Sequence, residues 1–176
     1  MTITETAIAG CVVVGPTWFS DERGGFTRTW DAPTLAAAGV DVELSQVSLS
    51  RNPARGTLRG LHWQEAPHAE SKIVRCTQGA IWDVCVDIRP GSPTYLQHVG
   101  VDLTRDNGLA LVVPEGCAHG FITRADDTDV LYMISNAYAP DAARGARWDD
   151  PAFGIEWPEP VRLIKDRDAA YPDFAS

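Results

Sequence analysis

The sequence predicts an all-β barrel or jelly roll. Three observations support this fold class: short runs in which polar and apolar residues alternate, clusters of Gly, Pro, Asn and Asp between those runs, and a single convincing helix. The alternation is clearest over residues 80–88 (AIWDVCVDI), which place Trp82 and Val84 on one face and Asp83 and Cys85 on the other. Turns are predicted between strands at residues 89–93, 104–108 and 125–129.

The beginning of the chain predicts two extended segments joined by a turn. Residues 10–16 (GCVVVGP) form an apolar run that a Gly-Pro pair ends. Residues 21–25 (DERGG) have the composition of a turn, and residues 26–30 continue as a second extended segment. These features agree with an all-β fold from the start of the chain.

A short helix is predicted directly after this segment. Asp31 is a suitable N-cap, and Pro33 falls in the first turn, where the missing N–H is tolerated. Residues 35–38 (LAAA) have high helix propensity, and Gly39 can end the helix.

The remainder of the chain predicts further strands and an irregular end. Residues 42–50 alternate as a strand, and residues 52–56 form a turn. Residues 140–160 contain several prolines and predict an irregular segment packed on the barrel, while residues 161–174 contain charges and a proline that argue against a long helix. Because no repeat or linker is visible, residues 1–176 are expected to form a single domain.

Composition and charge exclude several classes of protein. The net charge of −9 argues against a nucleic-acid-binding surface. No apolar run is long enough to span a membrane, and the first residues lack the basic and apolar regions of a signal peptide. The four cysteines form no CxxC pair, so we expect a cytoplasmic enzyme with reduced thiols.

Five basic residues lie close together in this acidic chain. Such a cluster is either a solvated sheet face, which is the common case, or a pocket for a phosphorylated ligand. The sequence alone leaves both interpretations open. The five residues are Arg51, Arg55, Arg59, Lys72 and Arg75.

The spacing of glycine, proline and histidine resembles the cupin superfamily. Residues 56–62 resemble the first cupin motif, and residues 108–119 match most of the second. In metal-binding cupins the first motif supplies two histidines, but Gln64 stands at the second position. A divalent metal needs three or four well-placed ligands, so no metal and no cofactor are expected. The candidate ligands that remain are His62, Glu70 and His119.

A more specific resemblance covers nearly the whole chain. Residues 59–64 (RGLHWQ), 71–95 and 114–121 (PEGCAHGF) resemble the dTDP-4-dehydrorhamnose 3,5-epimerase family, also called RmlC-like. The resemblance implies a metal-free cupin barrel with jelly-roll topology, a homodimer, and action on nucleotide-linked 4-keto-6-deoxy sugars in deoxysugar biosynthesis. It is extended by residues 21–26, Tyr132, 143–158 and 166–172.

In such an epimerisation, the 4-keto group acidifies the C–H bonds at C3 and C5. The reaction requires a base on one face, an acid on the opposite face, and a group that stabilises the enolate. The resemblance assigns His62 as the base and Asp168 as the carboxylate that orients it. Lys72 would stabilise the enolate oxygen, and Tyr132 would return the proton from the other face. No redox cofactor is needed.

The resemblance also implies a set of substrate-binding residues. Guanidinium groups suit phosphate, and Arg23 and Arg59 match the family's diphosphate and nucleotide contacts. Tyr138 lies near the sugar in the family and is implicated in the choice of carbon. The remaining expected contacts are Phe26, Arg28, Gln46, Ser48, His119 and Arg167.

One conflict of strand parity arises within the first motif. Arg59 and His62 are an odd number of residues apart, so a regular strand would point them to opposite faces. A β-bulge would let both face inward, and Gly60 would permit it. We therefore expect a bulge at Gly60.

Three positions depart from the family pattern. Arg28 places a cation where the family has an acidic residue, Ser48 replaces a common asparagine, and Ala143 replaces a glutamate. The arginine can donate hydrogen bonds but cannot accept them. The departures indicate a specialised member, one that inverts C3, C5 or both.

Two alternative functions remain open at this stage. The first is a 3,4-ketoisomerase with the same barrel, although suprafacial isomerisation needs no acid on the second face. The second is a non-catalytic cupin that binds a sugar nucleotide, against which an intact Lys72 and the His62–Asp168 pair argue. A metal-dependent cupin oxygenase is a more distant alternative.

Overall fold

A computed structural model describes residues 1–40 and 42–174. Its strands form two six-membered layers and a small hairpin, and nearly all neighbours are antiparallel. The first sheet contains, in spatial order, β1 (Thr2–Glu5), β2 (Val12–Gly15), β10 (Ala110–Val113), β7 (Lys72–Gln78), β12 (Thr128–Ile134) and β5 (Gln46–Asn52).

The second sheet faces the first. Strand β14 (Leu163–Ile164) pairs in parallel with β6 of this sheet, and the separate hairpin consists of β3 (Phe19–Asp21) and β4 (Gly24–Phe26). The other strands of the second sheet are, in order, β13 (Ala143–Gly145), β6 (Thr57–Gln64), β11 (Cys117–Thr123), β8 (Ala80–Asp87) and β9 (His98–Thr104).

The main core lies between the two sheets. Val74 and Leu111 of the first sheet pack with Cys85 and Phe121 of the second, and all are fully buried. Complete burial of such side chains contributes about 1.5–3 kcal/mol each. The predicted all-β jelly-roll fold is confirmed.

Strand β8 is buried on both faces. The face with Asp83 and Cys85 points into the barrel, whereas Val84 and Val86 pack outside it against Phe153 and other apolar residues of the C-terminal segment. The irregular segment predicted over residues 140–160 therefore covers the outer surface of the second sheet.

The predicted helix is confirmed as α1 (Ala32–Ala37). The Asp31 carboxylate accepts a hydrogen bond of 3.0 Å from the backbone N–H of Thr34, and Gly39 has a φ of +79° just after the helix ends. The buried side chain of Leu35 anchors the helix to the core beside the first sheet. Within the described residues, no helix is long and apolar enough to cross a bilayer.

Two predicted boundaries differ from the structure. The second extended segment was predicted over residues 26–30, but β4 ends at Phe26. The strand predicted from residue 42 begins at Gln46. Val42 is buried against helix α1 instead of pairing in the sheet, which explains why its apolar character is misleading. A second short helix, α2 (Asp166–Ala169), lies in the segment where no long helix is predicted.

Candidate active site

A cavity of about 540 Å³ opens between the two sheets. The C-terminal segment that follows β14 forms part of its wall, so three separate parts of the chain surround it. Eight of the expected site residues line this cavity: Ser48, Arg59, His62, Lys72, His119, Tyr132, Arg167 and Asp168.

A histidine–carboxylate pair lies at one wall of the cavity. Nε2 of His62 on β6 is 2.9 Å from Oδ1 of Asp168 on α2. The parallel pairing of β14 with β6 places the start of α2 beside the histidine. Burial alone would raise the pKa of Asp168, but the hydrogen bond and charge of His62, with the charge of Arg167, lower it below the usual range. The ionised carboxylate accepts the Nε2 proton, which leaves Nδ1 as the basic nitrogen.

A β-bulge directs both Arg59 and His62 toward the cavity. His119 pairs with His62, but Phe121 pairs with Arg59, so β6 carries one more residue than β11 across this interval. Gly60 has a φ of +135°, and a Cβ there would lie 2.6 Å from the Cα of Gly120. The predicted bulge is confirmed, and glycine is required at its centre.

Tyr132 lies on the other sheet. Strand β12 pairs it with Ser48, which lines the same cavity. Burial raises the pKa of the Tyr132 phenol, and the nearby charge of Asp83 raises it further. The phenol therefore stays protonated at neutral pH and can donate a proton. Because His62 and Tyr132 lie on facing sheets, a ligand between the sheets has the imidazole and the phenol on opposite sides.

Two cations of the basic cluster reach the cavity and are held by polar partners. Nζ of Lys72 is 3.0 Å from Oε1 of Glu70, and both side chains are only 10% exposed. Nε of Arg59 donates to Oδ1 of Asn52 at 2.8 Å. The buried amide of Asn52 also donates to the backbone of β12, which fixes its position.

The other three cations do not line the cavity. Arg51 is highly exposed, and Arg55 binds Glu159 at the surface. Arg75 is buried outside the cavity, where its guanidinium donates to the carbonyl of Gly108. Two of the five cations therefore line the cavity and two lie at the solvated surface, whereas Arg75 fits neither interpretation.

A second histidine–carboxylate pair was missed in the sequence. Nε2 of His119 is 2.8 Å from Oδ1 of Asp83, which is fully buried. Burial raises the pKa of Asp83, while His119 and Lys72 oppose that effect. Its other oxygen, Oδ2, has no hydrogen-bond partner among the described residues. The signal available in the sequence was that Asp83 shares a strand face with Cys85.

The three side chains considered as metal ligands have other partners. His62 binds Asp168, His119 binds Asp83, and Glu70 binds Lys72. In residues 1–40 and 42–174, no three His, Cys, Asp or Glu side chains are grouped so as to hold a metal ion.

Five expected substrate contacts do not line the cavity. Arg23 and Phe26 lie on the exposed β3–β4 hairpin, where Arg23 binds Asp21. Arg28 donates to the capping residue Asp31 at 2.8 Å. The remaining two contact each other, because Gln46 accepts a hydrogen bond of 3.2 Å from the backbone of Tyr138.

Comparison with known proteins gives a consistent result. A sequence profile described as dTDP-4-dehydrorhamnose 3,5-epimerase matches residues 5–176. The enzyme of that name from Sinorhizobium fredii is 41% identical over 96% of this chain and 87% of its own length. The crystal structure of the Bacillus anthracis enzyme, with TDP and PPi bound, has a TM-score of 0.95 and 37% identity, covering 98% of this chain and 99% of that chain.

A mono-epimerase is also similar. ChmJ, a 3'-monoepimerase from Streptomyces bikiniensis in complex with dTDP-quinovose, has a TM-score of 0.88 and 32% identity, covering 96% of this chain and 85% of that chain. The similarities extend over nearly the full length, and they agree with the barrel fold. The chain belongs to the dTDP-4-dehydrorhamnose 3,5-epimerase family.

Proposed function

We propose that this protein epimerises a dTDP-linked 4-keto-6-deoxyhexose at C3, C5 or both, in deoxysugar biosynthesis. The observation that carries the proposal is the placement of the His62–Asp168 pair and of Tyr132 on facing walls of one cavity. Inversion of a carbon needs removal of a proton from one face and its return to the other. The two walls supply these groups.

The residues act in sequence through an enolate. Nδ1 of His62 takes the proton next to the keto group, and Asp168 stabilises the imidazolium that forms. The electron pair of the broken C–H bond moves to the keto oxygen, where the Lys72 ammonium stabilises the charge. Tyr132 then donates its proton to the opposite face of the carbon, and proton exchange with solvent restores both groups.

Four further residues of the cavity are proposed to bind the substrate. The guanidinium groups of Arg59 and Arg167 suit the two phosphates. Ser48 and His119 offer polar groups to the sugar from opposite sheets. The TDP in the Bacillus anthracis relative and the dTDP-quinovose in ChmJ support a dTDP-linked ligand.

We also propose a homodimer, in which the hairpin of one subunit completes the cavity of its partner. The hairpin holds the expected contacts Arg23 and Phe26, and Phe26 is 70% exposed. Val47 and Leu49, on the outer face of β5, are 62% and 52% exposed. Burial of these apolar side chains between two copies would stabilise such a dimer.

The whole chain is proposed to act as one catalytic unit in the cytoplasm. Asp168 comes from the far end of the chain yet binds His62 of β6, so residues 1–176 are needed together. Four free, buried cysteines suit a reducing compartment.

Solvent exchange tests the proposed reaction. The protein is incubated with dTDP-4-keto-6-deoxyglucose in D2O, and NMR follows deuterium at C3 and C5. Deuterium is expected at one or both carbons, and His62→Asn is expected to lower its incorporation by at least about 100-fold because the base is lost. His68→Asn, at an exposed turn, is the matched control and should exchange normally. Full activity of His62→Asn would disprove the assignment of the base.

A further inference from the structure

The cation assigned to the enolate has one close charged partner. Oε1 of Glu70 lies 3.0 Å from Nζ of Lys72. The other protein contact of this ammonium is with the carbonyl of His62 at 3.5 Å, which is a weak hydrogen bond. Glu70 is therefore the main anchor of the Lys72 side chain among the described residues.

The pair is withdrawn from water. Each side chain is only 10% exposed, and Lys72 begins strand β7 at the wall of the cavity. A lysine side chain is long and flexible, and a carboxylate at hydrogen-bond distance restricts where its ammonium can lie.

We propose that Glu70 is a positioning residue that holds the Lys72 ammonium in place, directed at the enolate oxygen. The inference rests on the proposed function, because it assigns a partner to the group that stabilises the enolate. Glu70 does not itself line the cavity, so it acts through Lys72 and does not touch the substrate. As negative charge develops on the keto oxygen, the ammonium gains a second anionic partner without having to move.

Other titratable groups around Lys72 have different partners. Asp83 interacts electrostatically with Lys72, but its hydrogen bond is to His119. His62 is bound to Asp168. The effect of Glu70 should therefore be separable from theirs. The remaining titratable or charged groups that line the cavity with Lys72 are Arg59, Tyr132, Lys165 and Arg167.

The composition of the chain permits a direct test. Lys72 and Lys165 are its only lysines, so protein labelled with 13C-lysine gives two Cε signals, which Lys165→Arg assigns. The shift and relaxation of each Cε signal report the surroundings and the mobility of its ammonium. Glu70→Gln keeps the size of the side chain and removes its charge. We expect the Lys72 signal to change its shift and to report a more mobile side chain, while the Lys165 signal stays unchanged.

Catalysis should change in parallel. The kcat of Glu70→Gln should fall about tenfold or more because the ammonium is no longer held in place, and KM should change little. Glu65→Gln is the matched control, because the Glu65 side chain is half exposed and binds Arg144 at 2.7 Å. It should alter neither quantity. If Glu70→Gln does not fold, Glu70→Asp should show a smaller shift in the same direction.

The outcomes separate this inference from the proposed function. An unchanged Lys72 signal in the folded Glu70 variant would overturn the inference even if the enzyme epimerises its substrate. A changed Lys72 signal together with an unchanged kcat would also overturn it, because the pair would then be structural only. Absence of exchange in the wild-type protein would reject the proposed reaction, while the Lys72 signal would still test the pair.

Discussion

Replacement of Asp168 by asparagine should slow catalysis strongly while leaving the fold intact. The carboxylate oxygen lies 2.9 Å from Nε2 of His62, a separation at which two opposite unit charges attract by about 6 kcal/mol at an effective dielectric constant of about 20. His62 is 33% exposed, so water screens the attraction, and we take about half of it, near 3 kcal/mol. This stabilisation applies only to the imidazolium formed during reaction.

The amide adds a second penalty. An asparagine can donate its N–H to Nε2, which favours the wrong imidazole tautomer and removes the basic lone pair from Nδ1. Together these effects predict a loss in kcat of about 100-fold to 10,000-fold with little change in KM.

The assay compares two variants of the same helix. Rates of inversion and of deuterium incorporation are measured for Asp168→Asn and for Asp166→Asn, whose side chain is exposed at the start of α2. Thermal unfolding of both verifies the fold. If the kcat of Asp168→Asn stayed within about threefold of the wild-type value, Asp168 would not be the partner of the base.

Three further predictions concern the scaffold of the cavity. Gly60→Ala places a Cβ 2.6 Å from the Cα of Gly120, so it should lower the free energy of unfolding by about 2–4 kcal/mol and reduce kcat. Gly91→Ala also replaces a glycine of positive φ (+80°) but meets open space, so denaturant unfolding should show a smaller loss. Asp83→Asn should change the orientation of the His119 ring and raise KM about tenfold. The 15N shifts of that ring are the independent readout, and unchanged shifts would contradict the role of the pair. Asp87 accepts hydrogen bonds from Arg89, Ser92 and Thr94. Burial alone would raise the pKa of Asp87, but these hydrogen bonds lower it below the usual range. Asp87→Asn should therefore lower the free energy of unfolding by about 2–4 kcal/mol at pH 7. Because the pKa of Asp87 is depressed in the folded state, its stabilisation is complete above about pH 4 and is lost as the pH falls further. The difference in the free energy of unfolding between the wild-type protein and Asp87→Asn, measured in urea, should therefore shrink only in acid.

The fold could be predicted because it depends on local patterns, whereas the residues of the cavity were expected from the family resemblance. Alternation along β8 predicts a strand, and the parity conflict between Arg59 and His62 predicts the bulge at Gly60. The pairing of His62 with Asp168 spans 106 residues, and only the family resemblance connected them. Periodicity shows which residues share a face, but it does not show what lies opposite.

The same limit explains what the sequence did not reveal. The His119–Asp83 pair joins neighbouring strands that are distant in sequence, and no local pattern indicates that contact. Glu70 was considered as a metal ligand, whereas its partner is the cation two residues later. Arg23 lies on a separate hairpin whose place relative to the cavity depends on a second copy of the chain under the proposed dimer.

In the proposed mechanism, a proton leaves one face of the sugar and another is returned to the opposite face. The decisive measurement follows inversion and deuterium incorporation together in Tyr132→Phe, with dTDP-4-keto-6-deoxyglucose in D2O. Loss of the acid should slow inversion by about 100-fold or more, while His62 still exchanges the proton on its own face. Exchange without inversion is the predicted result. Inversion at the wild-type rate in Tyr132→Phe would contradict the two-face mechanism.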